Sequence, residues 1–443
     1  MRNFSFLLIF VFAFFCCSSA KAIESWTGTN GKAASSQLGQ ADFSGDVRNR
    51  NAGPPEDNNL YTPKGVAINV HSGKVYLVDT DNHRVLRYLS TTALQSGASA
   101  EAVFGQANFT TATPAAGRLG LNSPAGAVVD FAGNLWVSDT GNNRVVVYLN
   151  ADSQLSGSAL STLLGQPDED TTTSGTANNK LNSPRGLAAD IQGNIWVADQ
   201  GNHRVLFFDH PRTVDNIADM VLGQSTFTGT GFGPSASNMY NPADVALSSD
   251  GTTLWVADQN NNRVLRFDRA DQKMNGAAAD GLLGQTTFNT GTAGTTQSTF
   301  NMPESLDINS NGRLFVADSQ NRRVLHFRNA ATKANGAPAD GVLGKSTFTD
   351  SSAENASATT LSQPVGVACD GVGRLWVADM PNNRVMRFQA NENSARIASV
   401  RRQIKRQKRA LKVAKKKKRK PAIKRAKRKI RSLNRVLAAL LRP

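Results

Sequence analysis

Apolar residues in this chain come in short runs, four to a unit, and the unit recurs six times between residues 37 and 390. The first run follows a proline, as in Val66-Ala67-Ile68 and Leu187-Ala188-Ala189. The second carries an aromatic residue and closes on aspartate, as in Leu135-Trp136-Val137 ahead of Asp139 or Leu254-Trp255-Val256 ahead of Asp258. The third reads Arg-Val-apolar-x-aromatic, as from Arg263 to Phe267, and the fourth lies in a Leu-Gly-Gln segment. Runs of this length, bounded by Gly, Pro, Asn and Asp, predict β-strands. Gly73, Gly133, Gly193, Gly251, Gly312 and Gly373 stand between the first two runs, where a tight hairpin needs positive φ.

The glycine of the Leu-Gly-Gln segment recurs at 39, 105, 165, 223, 284 and 344, in steps of 66, 60, 58, 61 and 60 residues. A period of this kind marks a repeat architecture, because one unit cannot bury its own apolar faces. Four strands in each of six units predict an all-β fold, a six-bladed β-propeller of four-stranded blades. One Leu-Gly-Gln segment precedes the first unit and none follows the sixth. If it forms the outermost strand, the segment 37–43, with its strand from Leu38 to Phe43, completes the last blade, whose other strands end near Phe388. Sharing a blade between the two ends leaves no open sheet edge.

The units beginning PRGLAADIQGNIWVADQGNHRVLFF at Pro184 and PVGVACDGVGRLWVADMPNNRVMRF at Pro364 resemble the NHL repeat. The resemblance covers residues 37–390 and occurs six times. It departs from the family in length, with extra residues at 226–241 and 347–363, and in the fourth and fifth units, where Asp244 and Ser305 replace the glycine of Pro-x-Gly. It implies an interaction platform for a protein, peptide or glycan on the loop face. It also brings in the peptidylglycine amidating lyases, which hold zinc with several histidines near the channel. The five histidines here, His71, His83, His203, His210 and His326, do not place three in one inner-strand register, so no metal site and no cofactor are expected. Nor is there a nucleophile elbow, a Walker loop or a CxxC pair. An enzyme, a lyase or hydrolase with or without a metal and with its site at the channel mouth, stands as the alternative.

The ends change the picture. Arg2, an apolar stretch from Phe6 to Phe15 and small residues ending Ala20-Lys21-Ala22 predict a secretory signal over 1–22, with a lipid anchor on Cys16 or Cys17 as the other option. Export then gives a secreted or extracytoplasmic protein with 23–390 as the propeller. Only Cys369 would remain, in a slot that other units fill with Ile68, Val129, Ala189, Leu247 and Ile308, so it reads as a small core hydrophobe. The net charge of +16 divides sharply: residues 391–443 hold 22 Lys and Arg against one acid, Glu392, leaving 28 basic and 33 acidic residues elsewhere. The propeller is mildly acidic and the tail strongly cationic. Apolar spacing predicts a tail helix through Ile397, Val400, Ile404 and Leu411, a break at Pro421 and a second helix from Ala422 to Leu441; disorder is the other expectation. Lys415, Lys416, Lys417, Lys418, Arg419 and Lys420 form an uninterrupted cationic block suited to a polyanion. Its partner would be an anionic polymer or membrane surface. Nucleic acid would be held without sequence readout, since the tail has no aromatic residue to stack on bases, and a passive propeller on a polyanion-binding tail is a further alternative.

Asp, Asn and Arg recur in every unit, as Asp79/Asn82/Arg84 through Asp379/Asn382/Arg384. Chemistry present six times is scaffold; a site needs a few residues from a few blades. The expectation is that Asp and Asn bond the turn between strands two and three while Arg pairs with Asp. Function is then sought where units differ. After the repeat proline stand Lys64, Ala125, Arg185, Ala243, Glu304 and Val365. Four residues after the repeat aspartate stand His83, Asn143, His203, Asn262, Arg322 and Asn383. Asp244, Glu304, Ser305 and Asp307 form an acidic departure in two adjacent units, Asp307 standing where the others have alanine or valine. The candidate ligand-binding residues are therefore Lys64, His83, Arg185, His203, Asp244, Glu304, Asp307 and Arg322.

Overall fold

Each unit folds into one four-stranded antiparallel sheet in the computed structural model, which describes residues 30–91, 94–212, 215–389, 403–406, 408 and 427–435. Blade 1 is built from Pro63–Ile68, Lys74–Asp79, Arg84–Ser90 and Ala102–Phe104, ordered from the innermost strand outward. Blades 2 to 5 repeat this order from inner strands Ala127–Val129, Pro184–Ala189, Pro242–Leu247 and Pro303–Ile308. Blade 6 takes Pro364–Cys369, Leu375–Asp379 and Arg384–Phe388 from one end of the sequence and Ser36–Leu38 from the other, with Ser36 opposite Arg387 and Leu38 opposite Val385. The inner strands touch in succession around the ring, the sixth against the first.

The strand shared with blade 6 stops at Leu38 and does not run on to Phe43. Gly39 takes φ +89 and turns the chain. A side chain there would meet Leu60 and the Asn383 carbonyl at 2.6 Å. Gln40 Nε2 then donates to the carbonyls of Val47 and Asn383 at 2.8 and 3.2 Å, so the segment after the glycine is a locked turn.

The core lies between blades. Tyr76, Trp136, Trp196, Trp255, Phe315 and Trp376 share one register, are all essentially buried, and each packs into a cluster containing residues of the following blade. Burying an aromatic side chain of 150–250 Å² is worth roughly 4–6 kcal/mol by area, and the six-fold repetition makes this register the main hydrophobic support of the ring.

Antiparallel order divides the loops between two faces. Turns joining second to third strands and links from one blade to the next lie on one face; first-to-second hairpins and third-to-fourth connections lie on the other. The repeat prolines open the inner strands on the first face, which therefore carries the long variable links.

The chain divides into two units, Trp26–Glu392 and Met1–Ser25 with Asn393–Pro443. In the latter, 403–406 and 427–435 are helical, within the two tail stretches expected to form helices. The signal segment 1–22 and the block Lys415–Lys420 lie outside the described residues. Among the described residues no helix is long and apolar enough to cross a membrane.

Candidate functional site at the channel mouth

The repeated polar residues form one buried network per blade. In blade 4, Arg263 Nε donates to Asp258 Oδ2 at 2.7 Å, Asn261 Nδ2 donates to the same oxygen at 2.8 Å, and the Tyr240 amide donates to Asp258 Oδ1 at 2.7 Å. The Arg263 Nη atoms donate to the carbonyls of Phe288, Ser235 and Asn238. Every blade repeats the Asp–Arg pair with both side chains fully buried. The aspartate takes the asparagine side chain from the turn between strands two and three, but its backbone donor lies in the link before its own blade, while arginine grips the segment after the next Leu-Gly-Gln motif. These groups are consumed by the scaffold.

The variable position four residues past the aspartate also joins blades. His83 Nδ1 accepts the Ser123 amide at 3.0 Å, and His203 Nδ1 accepts the Asn241 amide at 3.2 Å. Asn143, Asn262 and Asn383 use Oδ1 on the amides of Ser183, Met302 and Thr62 in the same way. Burial holds both histidines below the ordinary imidazole value, which keeps Nδ1 free of a proton and able to accept. Arg322 has no acceptor; its guanidinium donates to the Ser351 carbonyl instead, and the Gln363 amide turns to Asp379 Oδ1. Histidine and asparagine alternate here because both offer an acceptor at the same reach. The structure thus places His83, His203 and Arg322 in blade-to-blade contacts, apart from the channel.

Lys64, Arg185 and Glu304 come together. They line one end of a central cavity of about 350 Å³, on blades 1, 3 and 5, with Ala125, Ala243 and Val365 between them. Arg185 Nη1 lies 3.5 Å from Glu304 Oε2, with the side chains 19% and 13% exposed. Lys64 is half-buried; burial, then the Arg185 charge, lowers its pKa, while Glu304 and Asp81 oppose the shift. Two cations and one anion therefore share a concave opening.

Asp244 and Asp307 lie deeper and reach sideways. Asp244 Oδ2 accepts from Ser305 Oγ at 2.6 Å and from the Leu306 amide at 3.0 Å, and Oδ1 accepts from the Val245 amide. Ser305 Oγ in turn accepts the Val367 amide. Asp307 Oδ2 accepts the Cys369 amide at 2.6 Å, and the Cys369 thiol also bonds to that carboxyl. Cys369 therefore lines the channel as a polar partner as well as packing against the core beside it. Among the described residues no group of three or more His, Cys, Asp or Glu is placed to hold a metal ion. The acidic departure stitches the inner strands of blades 4, 5 and 6 together.

Burial pushes the Asp244 carboxyl up to about 7 and the Asp307 carboxyl up to about 6, against hydrogen bonds that pull both down. A carboxyl with a raised folded-state pKa contributes stability that is full below the ordinary carboxylate value and lost as pH rises through the folded value. Urea unfolding between pH 4 and 8 should therefore show wild-type stability falling with pH, along a slope that flattens in Asp244→Asn whatever that variant's baseline. Equal slopes would show that Asp244 holds no such proton.

The model described as the Teneurin NHL domain matches residues 165–388, half of the chain, and that of the NHL repeat matches 60–88 and 121–148. The chain belongs to the NHL-repeat family. Among curated relatives, a probable peptidyl-alpha-hydroxyglycine alpha-amidating lyase of Caenorhabditis elegans is 32% identical over 146 residues, covering 32% of this chain and 36% of that protein. NHL repeat-containing protein 3 of Mus musculus is 30% identical over 159 residues, covering 34% and 38%. These matches span little more than a third of either relative. A structural genomics protein of unknown function from Bacteroides thetaiotaomicron superposes with TM-score 0.52 at 16% identity, over 80% of this chain and 75% of that one, a likeness of fold.

The NHL propeller carries one surface feature that the repeats gave no sign of. Phe232, 61% exposed in the long link to blade 4, stacks on Tyr240 at 4.5 Å, with the His203 ring 5.1 Å from Phe232. Tyr240 stands two residues before the repeat proline, where the other units have Tyr61, Asn122, Asn182, Asn301 and Ser362, whereas Phe232 falls in a stretch without periodicity, so composition of that link was its only signal.

Proposed function

We propose that this NHL propeller is an exported binding scaffold whose loop face, around the charged mouth, takes a protein, peptide or glycan. In this reading the segment 391–443 holds it to an anionic surface or polymer. The observation that carries it is the contrast between consumed and unconsumed charge. Asp, Asn and Arg of every repeat are buried in the scaffold, whereas Lys64, Arg185 and Glu304 converge on an open cavity. An ammonium and a guanidinium suit a carboxylate or sulfate, and Glu304 suits an amine. The Phe232–Tyr240 stack on the same face, with Phe232 exposed and Tyr240 half-buried beneath it, offers a flat apolar surface to a sugar ring or peptide side chain. Each Lys or Arg brought near an anionic membrane contributes on the order of 1 kcal/mol, so the tail alone can retain the protein there.

A second reading, an enzyme of lyase type, is favoured by the similarity to the C. elegans lyase. Turnover of a peptidyl-α-hydroxyglycine by the purified chain would support it over the scaffold.

Binding to acidic glycans, anionic vesicles and DNA across a salt series, for the full chain and for a chain ending at Ala390, tests the division of labour. The expected result is steep salt dependence that disappears with the tail. Equal binding by both chains would move recognition of the polyanion onto the propeller and overturn the anchoring role.

A further inference from the structure

Eleven large apolar side chains stand exposed among the described residues, and eight of them lie on the face opposite the charged mouth. Four occupy the first-to-second-strand hairpins of consecutive blades: Val372 in blade 6, Val70 in blade 1, Phe131 in blade 2 and Ile191 in blade 3, each 55–63% exposed. Blades 4 and 5 have Ser249-Asp250 and Ser310-Asn311 at these tips. Leu155 and Met274, 78% and 81% exposed, cap the third-to-fourth connections of blades 2 and 4. An apolar arc thus runs around four of the six blades, with two further apolar tips outside it.

The chain leaves the propeller at this same face. Third strands run from the mouth face to the opposite one, so Arg384–Phe388 delivers Gln389 there, and the stretch with 22 Lys and Arg and a single acid continues from it. Apolar tips and the root of the cationic segment share one side of the ring. Neighbouring hairpins meet in places, the His71 ring packing edge-on against Phe131 at 4.5 Å and Phe131 and Ile191 lining a shallow cavity of about 180 Å³, but each exposed apolar side chain is carried on its own hairpin. Protruding side chains spread over an arc of this kind, beside the root of a cationic segment, suit the boundary between anionic headgroups and acyl chains.

We propose that this face docks on an anionic phospholipid bilayer, the hairpin tips of blades 6, 1, 2 and 3 inserting at headgroup depth while the Lys/Arg-rich segment supplies the long-range attraction. The inference rests on the anchoring reading above for its charge and adds which side of the propeller meets the lipid. The charged mouth then faces away from the membrane, open to ligand.

The test uses the full chain. One variant carries Val70→Asp, Phe131→Asp, Ile191→Asp and Val372→Asp; a control carries Val47→Asp, Leu119→Asp and Ala353→Asp on the mouth face. All seven positions are exposed, so both proteins should fold, which circular dichroism and thermal melting check. Sedimentation with phosphatidylglycerol/phosphatidylcholine vesicles is read at low salt and at about 0.5 M salt, where attraction between exposed charges is largely screened. Heparin binding at low salt reports the tail without lipid. The expected result is equal heparin binding by all three proteins, and vesicle binding at high salt that the hairpin variant loses by about tenfold while the control keeps it. Vesicle binding by the hairpin variant equal to wild type would overturn the proposal, as would wild-type vesicle binding that salt abolishes entirely. With heparin binding intact, either failure would leave the anchoring reading standing. Failure of the wild type to bind heparin or vesicles would remove both. A wild-type dimer in solution that the hairpin variant converts to monomer would assign the arc to a second copy of the chain and also overturn the lipid role.

Discussion

Arg263→Ala is expected to lower folding stability by about 3–5 kcal/mol, the range seen when one partner of a buried ion pair is removed. Both members of the Arg263–Asp258 pair are fully buried. The substitution would strand the carboxylate with only the Tyr240 amide and Asn261 as donors, and leave the carbonyls of Phe288, Ser235 and Asn238 without the guanidinium. Because those carbonyls lie on the links at both ends of blade 4, the damage reaches the junctions with its neighbours. Urea denaturation measures the loss. Asp258→Asn added to Arg263→Ala should recover part of it, since the uncompensated charge is gone. Arg185→Ala is the contrast: its partner lies 3.5 Å away at the open mouth, and such partly exposed pairs are worth about 0–1 kcal/mol. A loss below about 1 kcal/mol for Arg263→Ala would show that the repeated triplets do not hold the blades.

Gly366→Ala is expected to cost about 3 kcal/mol or more, at or above the upper end for overpacked cores. A Cβ at this position would lie 1.8 Å from the Lys64 carbonyl oxygen. That obstacle is backbone of the neighbouring inner strand, so no rotamer change relieves it, and ring closure between blades 6 and 1 prevents the strands from parting. The unfolded chain gives no such penalty. Gly53→Ala, with nothing within 4 Å of the new atom and φ −82, should be neutral or stabilising by a few tenths of a kcal/mol. Thermal unfolding of the two variants compares them, and equal melting temperatures would refute close approach of the inner strands.

The same geometry explains why the sequence announced Asp244 and Ser305 as departures without revealing their use. Glycine occupies this position in blades 1, 2, 3 and 6, where inner strands nearly touch. In blades 4 and 5 a side chain stands there and bonds the next strand, Asp244 to Ser305 and Leu306, Ser305 to Val367. The spacing marks an exception but cannot identify the partner, which sits about sixty residues further along. His83 shows the converse. Its variation among blades looked like specificity, yet histidine and asparagine here do one job, accepting the amide that opens the next blade. Interchangeable acceptors look like variation when residue names alone are compared.

Lys64, Arg185 and Glu304 lie between the two cases. Their shared place after the repeat proline put all three on one face of any propeller, but the 3.5 Å approach of Arg185 to Glu304 across an intervening blade depends on how narrow the channel is. The Phe232–Tyr240 stack is made within one link by a turn that no period announces, whereas the arc of apolar hairpin tips depends on the ring, which sets side by side tips sixty or more residues apart in the chain.

The sequence by itself determined the number of blades, the four strands in each, the buried aromatic register and the pairing of Asp with Arg. These are local or repeated at one period, so a strand pattern and a turn residue specify them wherever they occur. Only the tertiary structure decided which polar residues face the channel, which bond the neighbouring blade, and which apolar tips gather on one face. Those relations are set by closure of the ring, which brings residues sixty or more positions apart to a few ångströms and leaves no trace in the spacing along the chain.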